Sequence, residues 1–474
     1  MLDGVKRIHL IGIGGIGVSA VARVLMARGY AVSGSDVRES QLTVALQAEG
    51  ATVTIGHDAA LVEGVDLVVY STAIPDTNPE LRAARDRGVR LAHRAEVLGA
   101  VLAAWNSIGV IGTHGKGTVS AMTTRILDAA NRNPSFIIGG LLHDYQTNAR
   151  VTSGDGDVVV EIDESDGSLV HVRPNTLVVN NVEADHLNYY KDLDGVYAKI
   201  TGVLANEDDR GVAIMHVGDS GVRDVLARLD KPIRMMTCGF EDDLAGYPAE
   251  VVGTALQVGP GHSTFQLTHR NALHEQDYGL FRINQPGRYN AMNALVAATA
   301  AISLRVPADM IRAGLAGYSG IENRFTVVDA GGVRVVKDYI SHPTGMRRVL
   351  AAAKTLSQGP ITAVFKPYRF TMIHYLGDEY AVAFQDADRV IITELYTAGE
   401  VPIAGVDAPW LCNLIRENGT PVDFIPDMSD IVTHVESLLP PMDSREADAP
   451  QVIFFGGDDL FQLADGLIQR LDTV

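Results

Sequence analysis

Cysteine, cationic residues and long apolar runs are all scarce in this sequence. The 474 residues include only Cys238 and Cys412, which can form neither a disulfide framework nor a cysteine-based zinc site, so a reducing compartment is expected. Lys and Arg total 39 against 58 Asp and Glu, and the net charge of −19 argues against a broad nucleic-acid or membrane-surface role. No uninterrupted run of about 20 apolar residues predicts a membrane span. These absences favour a soluble, cytoplasmic protein.

Short apolar segments alternate with longer segments of helical pattern along the whole chain. "RIHLIGIG", "AVSGSD" and "VDLVVYST" have the composition of strands, and the helical "GVSAVARVLMARG" lies between the first two. Such alternation is typical of the α/β class with mostly parallel sheets. The strand–helix alternation starts afresh near Ser107 and near Arg324. A typical domain has roughly 150 residues, which fits three domains in this chain. The sequence therefore predicts three α/β units, residues 1–105, 106–322 and 323–474.

A first glycine cluster, "GIGGIG", follows the first strand and precedes a helix. Gly12, Gly14 and Gly17 have the GxGxxG spacing, which lets the backbone approach a diphosphate at a helix N-terminus. Asp36 lies 19 residues beyond Gly17, where an acid that binds a ribose is expected. The pattern predicts a nucleotide site but does not distinguish NAD from another nucleotide diphosphate. A glycine turn without a ligand is the alternative.

A second glycine-rich segment, "GTHGKGT" at 112–118, also lies between a strand and a helix. It departs from the phosphate-loop pattern GxxxxGK[ST], because Val110 stands at the first glycine and Gly117 at the hydroxyl position. Its backbone N–H groups are expected to hold phosphates, with Lys116 reaching the β- and γ-phosphates and Thr118 supplying a hydroxyl for magnesium. The alternative, an empty turn, leaves Lys116 without a role.

Acidic side chains follow two consecutive strand patterns of the unit that carries this loop. Glu161 and Glu164 come after "VVV", and Glu183, Asp185 and His186 come after "LVVNNV". Magnesium prefers oxygen ligands, so carboxylates at these strand ends are candidate ligands. Solvated acids and a structural histidine are the alternative.

Polar residues mark three later segments. Asn290 and Asn293 are one helical turn apart and are candidates to bind a purine edge, although their spacing alone favours a polar first turn of a helix. "KDYISHPTG" and "FKPYRFT" stand at strand ends of the third unit, where open α/β sheets bind ligands.

The ordered set of motifs resembles the Mur ligase family, most closely its alanine-adding branch. The set includes "GIGGIG", "STAIP", "HRAEVLG", "GTHGKGT", "EIDESDGS", "NNVEADH", "GRYNAMNAL", "KDYISHPT" and "FKPYRF". The resemblance implies an N-terminal Rossmann-like domain that binds a UDP-sugar, a central P-loop ATPase domain and a C-terminal Rossmann-like domain that brings the amino acid. It also implies an enzyme that uses ATP and Mg²⁺ to join the carboxylate of UDP-N-acetylmuramate to an amino acid, L-alanine, in peptidoglycan precursor synthesis.

The resemblance assigns roles to residues of all three units. The ATP-binding residues it implies are Gly112, Thr113, His114, Gly115, Lys116, Gly117, Thr118, Asn290, Asn293, Arg324 and Asp338. The implied magnesium ligands are Thr118, Glu161 and His186, with Glu164 as the second choice of carboxylate. The implied contacts to the UDP-sugar are Gly14, Gly15, Ile16, Gly17, Ser35, Asp36, Ser71, Thr72, Asn148 and Arg150. The implied amino-acid pocket contains Tyr339, Ser341, Arg369 and Met372, and the implied catalytic set is Lys116, Glu161, His186, Arg324 and Arg369. In the mechanism that follows, His342 or an acid of the central unit is expected to accept the proton of the amine.

Departures from the family pattern concentrate at the amino-acid pocket. The family's DDYxHHP is "KDYISHP" here, which places Ser341 at the first histidine, and FQPHRYSR is "FKPYRFTM", which places Met372 at the second arginine. These changes leave open a paralogue with a different amino acid or carboxylate. A non-catalytic nucleotide-binding relative and, from "GIGGIG" and Asp36, a nicotinamide oxidoreductase are the other hypotheses. A monomer or a homodimer is expected.

Overall fold

The computed structural model describes residues 1–103, 105–152, 156–164, 168–205, 211–270, 275–442, 445 and 448–473. Within these residues the strands form an N-terminal, a central and a C-terminal sheet, flanked by helices. The predicted α/β class with three units is confirmed, whereas the boundaries at 105/106 and 322/323 stay predictions. Among the described helices, none combines the length and apolar composition that crossing a bilayer requires.

The N-terminal unit is a parallel sheet in the order β3-β2-β1-β4-β5. Its strands are β1 (Arg7–Ile11), β2 (Ala31–Asp36), β3 (Thr52–Ile55), β4 (Leu67–Tyr70) and β5 (Arg90–His93), and its helices are α1 (Ile16–Ala27), α2 (Gln41–Ala48), α3 (Pro79–Asp86) and α4 (Arg94–Leu102). The central strand β1 is apolar and almost wholly buried, as expected for a parallel strand covered on both faces. The chain order reverses beside β1, so the crevice typical of ligand binding opens at the glycine cluster.

The central unit has the strand order β15-β14-β13-β12-β11-β10-β6-β9-β7-β8. Its strands are β6 (Asn106–Ile111), β7 (Ser135–Leu142), β8 (Thr147–Arg150), β9 (Asp157–Glu161), β10 (Thr176–Val179), β11 (Val212–His216), β12 (Met235–Phe240), β13 (Val251–Gly259), β14 (His262–Arg270) and β15 (Glu275–Ile283). Its helices are α5 (Lys116–Ala129), α6 (Leu187–Tyr190), α7 (Leu193–Ala205), α8 (Ser220–Ala227), α9 (Arg288–Ser303) and α10 (Ala308–Ala316). The middle of the sheet is parallel, but β13–β15 and the β7–β8 pair are antiparallel, which the alternating pattern did not predict.

The C-terminal unit has the order β16-β17-β21-β18-β19-β20, parallel except for the β16–β17 hairpin. Its strands are β16 (Thr326–Ala330), β17 (Val333–Asp338), β18 (Ile361–Phe365), β19 (Arg389–Ile392), β20 (Val422–Phe424) and β21 (Gln451–Phe455). Its helices are α11 (Pro343–Ala353), α12 (Phe370–Tyr375), α13 (Gly377–Ala381), α14 (Ala408–Glu417), α15 (Ile431–Leu438) and α16 (Asp458–Asp472).

Asn148 joins the N-terminal unit to the central one. This fully buried side chain on β8 donates to the Ile16 carbonyl at 2.8 Å and to the Ser19 hydroxyl at 3.2 Å, and it accepts from the Arg23 guanidinium. Its amide is therefore engaged with α1, the helix that the glycine cluster opens. Its predicted contact with the sugar stays a prediction.

The close packing of α10 on α5 allows a test of the central core. A Cβ atom at Gly314 would lie 2.4 Å from the Ile126 Cα atom, so α10 approaches α5 through a residue without a side chain. Gly314→Ala should force the helices apart and destabilise the protein by about 1–3 kcal/mol. The control Gly466→Ala lies in α16 with open space around it and should stabilise by about 0.5–1 kcal/mol. Urea unfolding midpoints measure both changes, and equal midpoints for the two variants would contradict this account of the packing.

Candidate active site

The second glycine-rich segment is a tight loop between β6 and α5. Gly115 caps α5 with φ 75°, and Gly112 has φ 141°, so both occupy backbone conformations that other residues rarely adopt. A Cβ at Gly112 would also lie 3.0 Å from the backbone of Asn181. The first N–H groups of α5 have no acceptor within the helix, which makes this end of the helix a suitable anion site.

Two asparagines at the end of β10 hold the loop. The His114 N–H donates to the Asn181 side-chain oxygen at 2.7 Å, and the side-chain amides of Asn180 and Asn181 both donate to the His114 carbonyl at 2.9 Å. The two peptide groups that flank the His114 Cα atom are thus both fixed. Sequence reasoning missed this role, and the paired asparagines directly after a buried strand were the available signal.

Lys116 lies at the first position of α5 and points back across the loop. Its ammonium donates to the Gly112 carbonyl and to Glu164 Oε1, both at 2.7 Å. Burial alone would lower the pKa of Lys116, but the charges of Glu164 and Glu161 outweigh burial and raise it, so the ammonium stays charged. Burial raises the pKa of Glu164, against the opposing attraction of Lys116.

Glu161 lies beside the loop at the end of β9. Its Oε2 atom accepts a hydrogen bond from the Gly139 N–H at 2.6 Å and would lie 3.2 Å from a Cβ at Gly117. A side chain at position 117 would therefore crowd this carboxylate. Tyr318, another residue that sequence reasoning missed, is buried and lines the same cavity as Thr118.

His186 begins the short helix α6 from a left-handed conformation, with φ 52°. Its ring lies 3.7 Å from the carboxylate of its neighbour Asp185. Burial alone would raise the pKa of Asp185, but nearby histidines, His186 first, lower it. An imidazole and a carboxylate are thus placed together beyond β10.

One cavity of about 260 Å³ brings together many of the predicted residues. Its lining includes Thr113, His114, Gly115, Lys116, Gly117, Thr118, Glu161, Asn290, Asn293, Arg324, Asp338, Tyr339, Ser341 and His342. It thus combines the phosphate-loop segment with strand ends of the C-terminal unit. Among the described residues, Gly112, Glu164, His186, Arg369 and Met372 lie outside this lining.

Asn290 and Asn293 lie in the first two turns of α9, and both are buried. The Asn290 amide donates to the Pro286 carbonyl at 2.8 Å, and the Asn293 oxygen accepts from Asn180 at 2.9 Å. Both residues line the cavity, and their contact with a purine stays a prediction.

The C-terminal unit closes the cavity through the start of α11. His342 Nε2 donates to the Ala184 carbonyl at 3.1 Å, and Arg348 donates to Glu183 at 3.2 Å. Burial alone would raise the pKa of Glu183, but His114 and Arg348 hold it far below the usual range. Burial lowers the pKa of His114 to about 4, so this ring is neutral.

His114, Glu183 and His342 place ligand atoms within 4.8 Å of one another. Both ring nitrogens of His342 are already hydrogen-bonded, Nε2 to the Ala184 carbonyl and Nδ1 to the Thr344 N–H. The Glu183 carboxylate already accepts a hydrogen bond from Arg348. This cluster is therefore a poor metal site, and its contacts indicate docking between units.

The residues predicted for the amino-acid pocket follow β17 and β18. Asp338 is buried and accepts from the N–H groups of Phe325 and Ile340, both at 2.9 Å, which fixes the turn that presents Tyr339 and Ser341. Arg369 has φ 64° and lies against the Tyr368 ring, 5.1 Å from its centre. Exposed Arg324 lies 5.6 Å from the ring centre of Tyr339.

The first glycine cluster is held by the end of β2. The N–H groups of Gly12 and Ile13 donate to the Ser35 carbonyl at 2.8 and 3.0 Å, and the Gly14 N–H donates to Asp36 Oδ2 at 2.8 Å. Gly15, Ile16 and Gly17 continue the loop into α1, and Ser71 and Thr72 follow β4 at the same edge of the sheet. Arg150 bonds Asp128 at 2.9 Å and the Pro134 carbonyl at 2.7 Å, and its contact with the sugar stays a prediction.

Comparisons with known proteins cover nearly the whole chain. Residues 7–106 match the Mur ligase family catalytic domain, 110–301 the Mur ligase middle domain and 323–444 the Mur ligase glutamate ligase domain. A UDP-N-acetylmuramate–L-alanine ligase of Caulobacter sp. (strain K31) is 37% identical over 98% of this chain and 97% of its own length. The same enzyme of Geobacter sp. (strain M21) is 35% identical over 99% of each chain.

Solved structures share the fold. The UDP-N-acetylmuramate–alanine ligase of Thermotoga maritima has a TM-score of 0.78 at 24% identity, covering 98% of this chain and 99% of that one. A murein peptide ligase of Psychrobacter arcticus has a TM-score of 0.70 at 24% identity, covering 99% of each chain. The family expected from the motifs is confirmed by the domain matches and the curated relatives: this chain belongs to the Mur ligase family.

Proposed function

We propose that this chain is an ATP-dependent ligase that joins the carboxylate of UDP-N-acetylmuramate to L-alanine in peptidoglycan precursor synthesis. The observation that carries the proposal is the single cavity shared by the phosphate-loop segment and the strand ends of the C-terminal unit. Relatives at 35% and 37% identity over nearly the full length are ligases with these two substrates. Family membership favours a ligase over the nicotinamide oxidoreductase.

The first chemical step is phosphoryl transfer. A substrate carboxylate oxygen forms a bond to the γ-phosphorus while the bond to ADP breaks, which gives an acyl phosphate. Lys116 and the N–H groups at the start of α5 are placed to neutralise the charge that builds on the γ-phosphoryl group. When ATP binds, the Lys116 ammonium must replace its hydrogen bond to Glu164 with one to phosphate. The ammonium therefore keeps an anionic partner throughout.

The oxygen donors beside the loop fit a magnesium ion. Glu161 has a second carboxylate oxygen beyond the one that Gly139 engages, and Thr118 adds a hydroxyl at the start of α5. We assign the metal to Thr118, Glu161 and His186, and prefer Glu161 to Glu164 because Glu164 is paired with Lys116. When bound, the metal supplies further neutralisation of phosphate charge.

In the second step, the amine nitrogen attacks the acyl carbon, phosphate leaves, and the nitrogen loses a proton. Acyl phosphates hydrolyse, so water must be excluded, and the bonds of His342 and Arg348 to the central unit support a closed cavity. Both ring nitrogens of His342 are hydrogen-bonded, so we assign this residue to holding the C-terminal unit against the central unit and not to accepting the proton of the amine. Asp185, which lines the cavity, is our choice of acceptor.

We further propose that residues 1–105 bind the UDP-sugar, 106–322 bind ATP and 323–474 bring the amino acid. The pocket for the amino acid is assigned to Tyr339, Ser341, Arg369 and Met372. We also propose that the protein is cytoplasmic and is a monomer or a homodimer.

Loss of the loop ammonium should abolish turnover. Lys116→Ala should lower phosphate release from Mg-ATP by at least about 10²–10³-fold, since it removes the cation that faces the transferred phosphoryl group. Lys354→Ala is a matched control, because Lys354 is 54% exposed and paired with Asp386 on the surface. Equal phosphate release from both variants would show that the loop is not the triphosphate site.

The two candidate carboxylates can be separated by their magnesium dependence. Glu161→Gln should raise the Mg²⁺ concentration needed for half-maximal turnover by about tenfold or more, because it removes a charged ligand. Glu164→Gln should leave that concentration unchanged and lower the KM for ATP, because it weakens the group that competes with phosphate for Lys116. The opposite pattern would assign the metal to Glu164.

The substrates can be identified by coupled phosphate release. Release should require UDP-N-acetylmuramate and L-alanine together, and the product should contain one new amide bond by mass spectrometry. Release with a different amino acid would show that Ser341 and Met372 change the specificity. ATP binding without release for any pair would contradict the proposal and favour another carboxylate substrate or a non-catalytic relative.

A further inference from the structure

A buried carboxylate, Glu80, lies beneath the first glycine cluster. It is 0% exposed and stands in the first turn of α3, after the cap residue Asn78 and Pro79. No step of the proposed chemistry uses it. A buried carboxylate is unfavourable unless donors satisfy it, so its partners indicate its purpose.

Three donors converge on Glu80. The Ser35 hydroxyl donates to Oε2 at 2.7 Å, His9 Nε2 donates to Oε2 at 2.9 Å, and His57 Nδ1 donates to Oε1 at 2.8 Å. Burial alone would raise the pKa of Glu80, but hydrogen bonds from His9, Ser35 and His57 lower it, so the group is a carboxylate. The donors belong to β1, β2 and the segment after β3, so one side chain of α3 ties three adjacent parallel strands together.

The rings in this network have defined tautomers. His9 Nδ1 lies 2.9 Å from the Ser33 hydroxyl, which donates to it when Nε2 carries the proton. His57 donates through Nδ1, and its side chain is 19% exposed, at the edge of the network. Each of these hydrogen bonds therefore has one donor and one acceptor.

Ser35 connects the network to the glycine cluster. Its carbonyl accepts the N–H groups of Gly12 and Ile13, and the next residue, Asp36, accepts the Gly14 N–H. The end of β2 thus holds three successive N–H groups of the loop. Ser35 is one of the residues that the resemblance assigns to the UDP-sugar, and its hydroxyl is bonded to Glu80.

We propose that Glu80 is a positioning residue of the sugar-nucleotide site: it fixes the end of β2 through Ser35, and β2 fixes the loop that receives the uridine diphosphate. This inference rests on the proposed function, because it takes the loop to bind UDP. Glu80 itself does not touch the ligand. Its effect should appear in the affinity for the sugar nucleotide and leave the ATP site unchanged.

Calorimetric titration of the full chain with UDP alone provides the test. Glu80→Ala should raise the Kd for UDP by about tenfold or more, because the loop is then no longer held in its binding conformation. The KM for UDP-N-acetylmuramate should rise in parallel, whereas kcat at saturating sugar nucleotide and the KM for ATP should not change. Glu80→Gln keeps one carbonyl acceptor and places an amide donor at the other position. The Ser35 hydroxyl oxygen and Nε2 of the other His9 tautomer can accept from this amide. The Kd of this variant for UDP should therefore stay within about threefold of wild type.

Asp66→Ala is the control for a merely structural role. Asp66 accepts the N–H groups of Lys6 and Arg7 at 2.9 and 2.8 Å, at the opposite end of β1 from the glycine cluster. Its loss should lower the unfolding midpoint of the same unit without changing the Kd for UDP. An unchanged Kd in Glu80→Ala as well would overturn the proposal.

A double-mutant cycle separates positioning from direct contact. If Ser35 acts through Glu80, then Ser35→Ala and Glu80→Ala should each raise the Kd, and their combination should add little more. Fully additive effects would overturn the proposal.

If Glu80→Ala does not fold, His57→Phe is used in its place, since it removes one of the three donors to Glu80. An unchanged Kd for UDP in that variant would also overturn the proposal. Failure of the wild type to bind UDP would instead refute the proposed function, which is a separate result.

Discussion

The parallel register between β6 and its two neighbours is the constraint on which the phosphate-loop site depends. Ile111, the last residue of β6, pairs with Val179 of β10, and Val110 pairs with Glu161 of β9. The three strands therefore end level with one another, and the residues that follow them meet at one edge. A shift by one residue would turn the Glu161 side chain to the other face of the sheet and move the paired asparagines away from the loop.

The charges at this edge are largely or partly buried, and they are paired across segments and across units. Lys116 is paired with Glu164 within the central unit, while Glu183 is paired with Arg348 of the C-terminal unit. Buried pairs contribute little net stability, but removing one partner is strongly destabilising. Nucleotide binding therefore has to provide Lys116 with a new anion. Withdrawal of the C-terminal unit would leave Glu183 without its guanidinium, which favours the closed arrangement around the cavity.

Local patterns were sufficient to predict much of the fold and part of the site. The two glycine-rich turns, the buried strands before them and the helices after them depend on residues close in sequence, and each is found where it was predicted. The roles of Asn180 and Arg348 could not be predicted in the same way. Asn180 bonds a peptide 66 residues away, and Arg348 bonds a carboxylate 165 residues away, so both roles depend on how strands and units pack.

The antiparallel strands β13–β15 were missed for a different reason. In β14 buried residues alternate with partly exposed ones, and much of β13 and β15 is exposed. These strands therefore lack the continuous buried apolar runs of strands such as β9 and β10. Arg150 shows what a motif leaves open: the segment that carries it is predicted to meet the sugar, and in this structure its guanidinium bonds Asp128. A motif indicates that a segment is present, but the partners of each side chain are decided by the packing around it.

The two glycine loops are held by similar means with different chemistry. Asp36 holds the Gly14 N–H with a carboxylate, whereas Asn181 holds both the N–H and the carbonyl of His114 with a neutral amide. A carboxylate can only accept, and its remaining oxygen suits the hydroxyls of a ribose. An amide can donate as well as accept, so the single side chain of Asn181 can hold both an N–H and a carbonyl of its loop, which a carboxylate cannot.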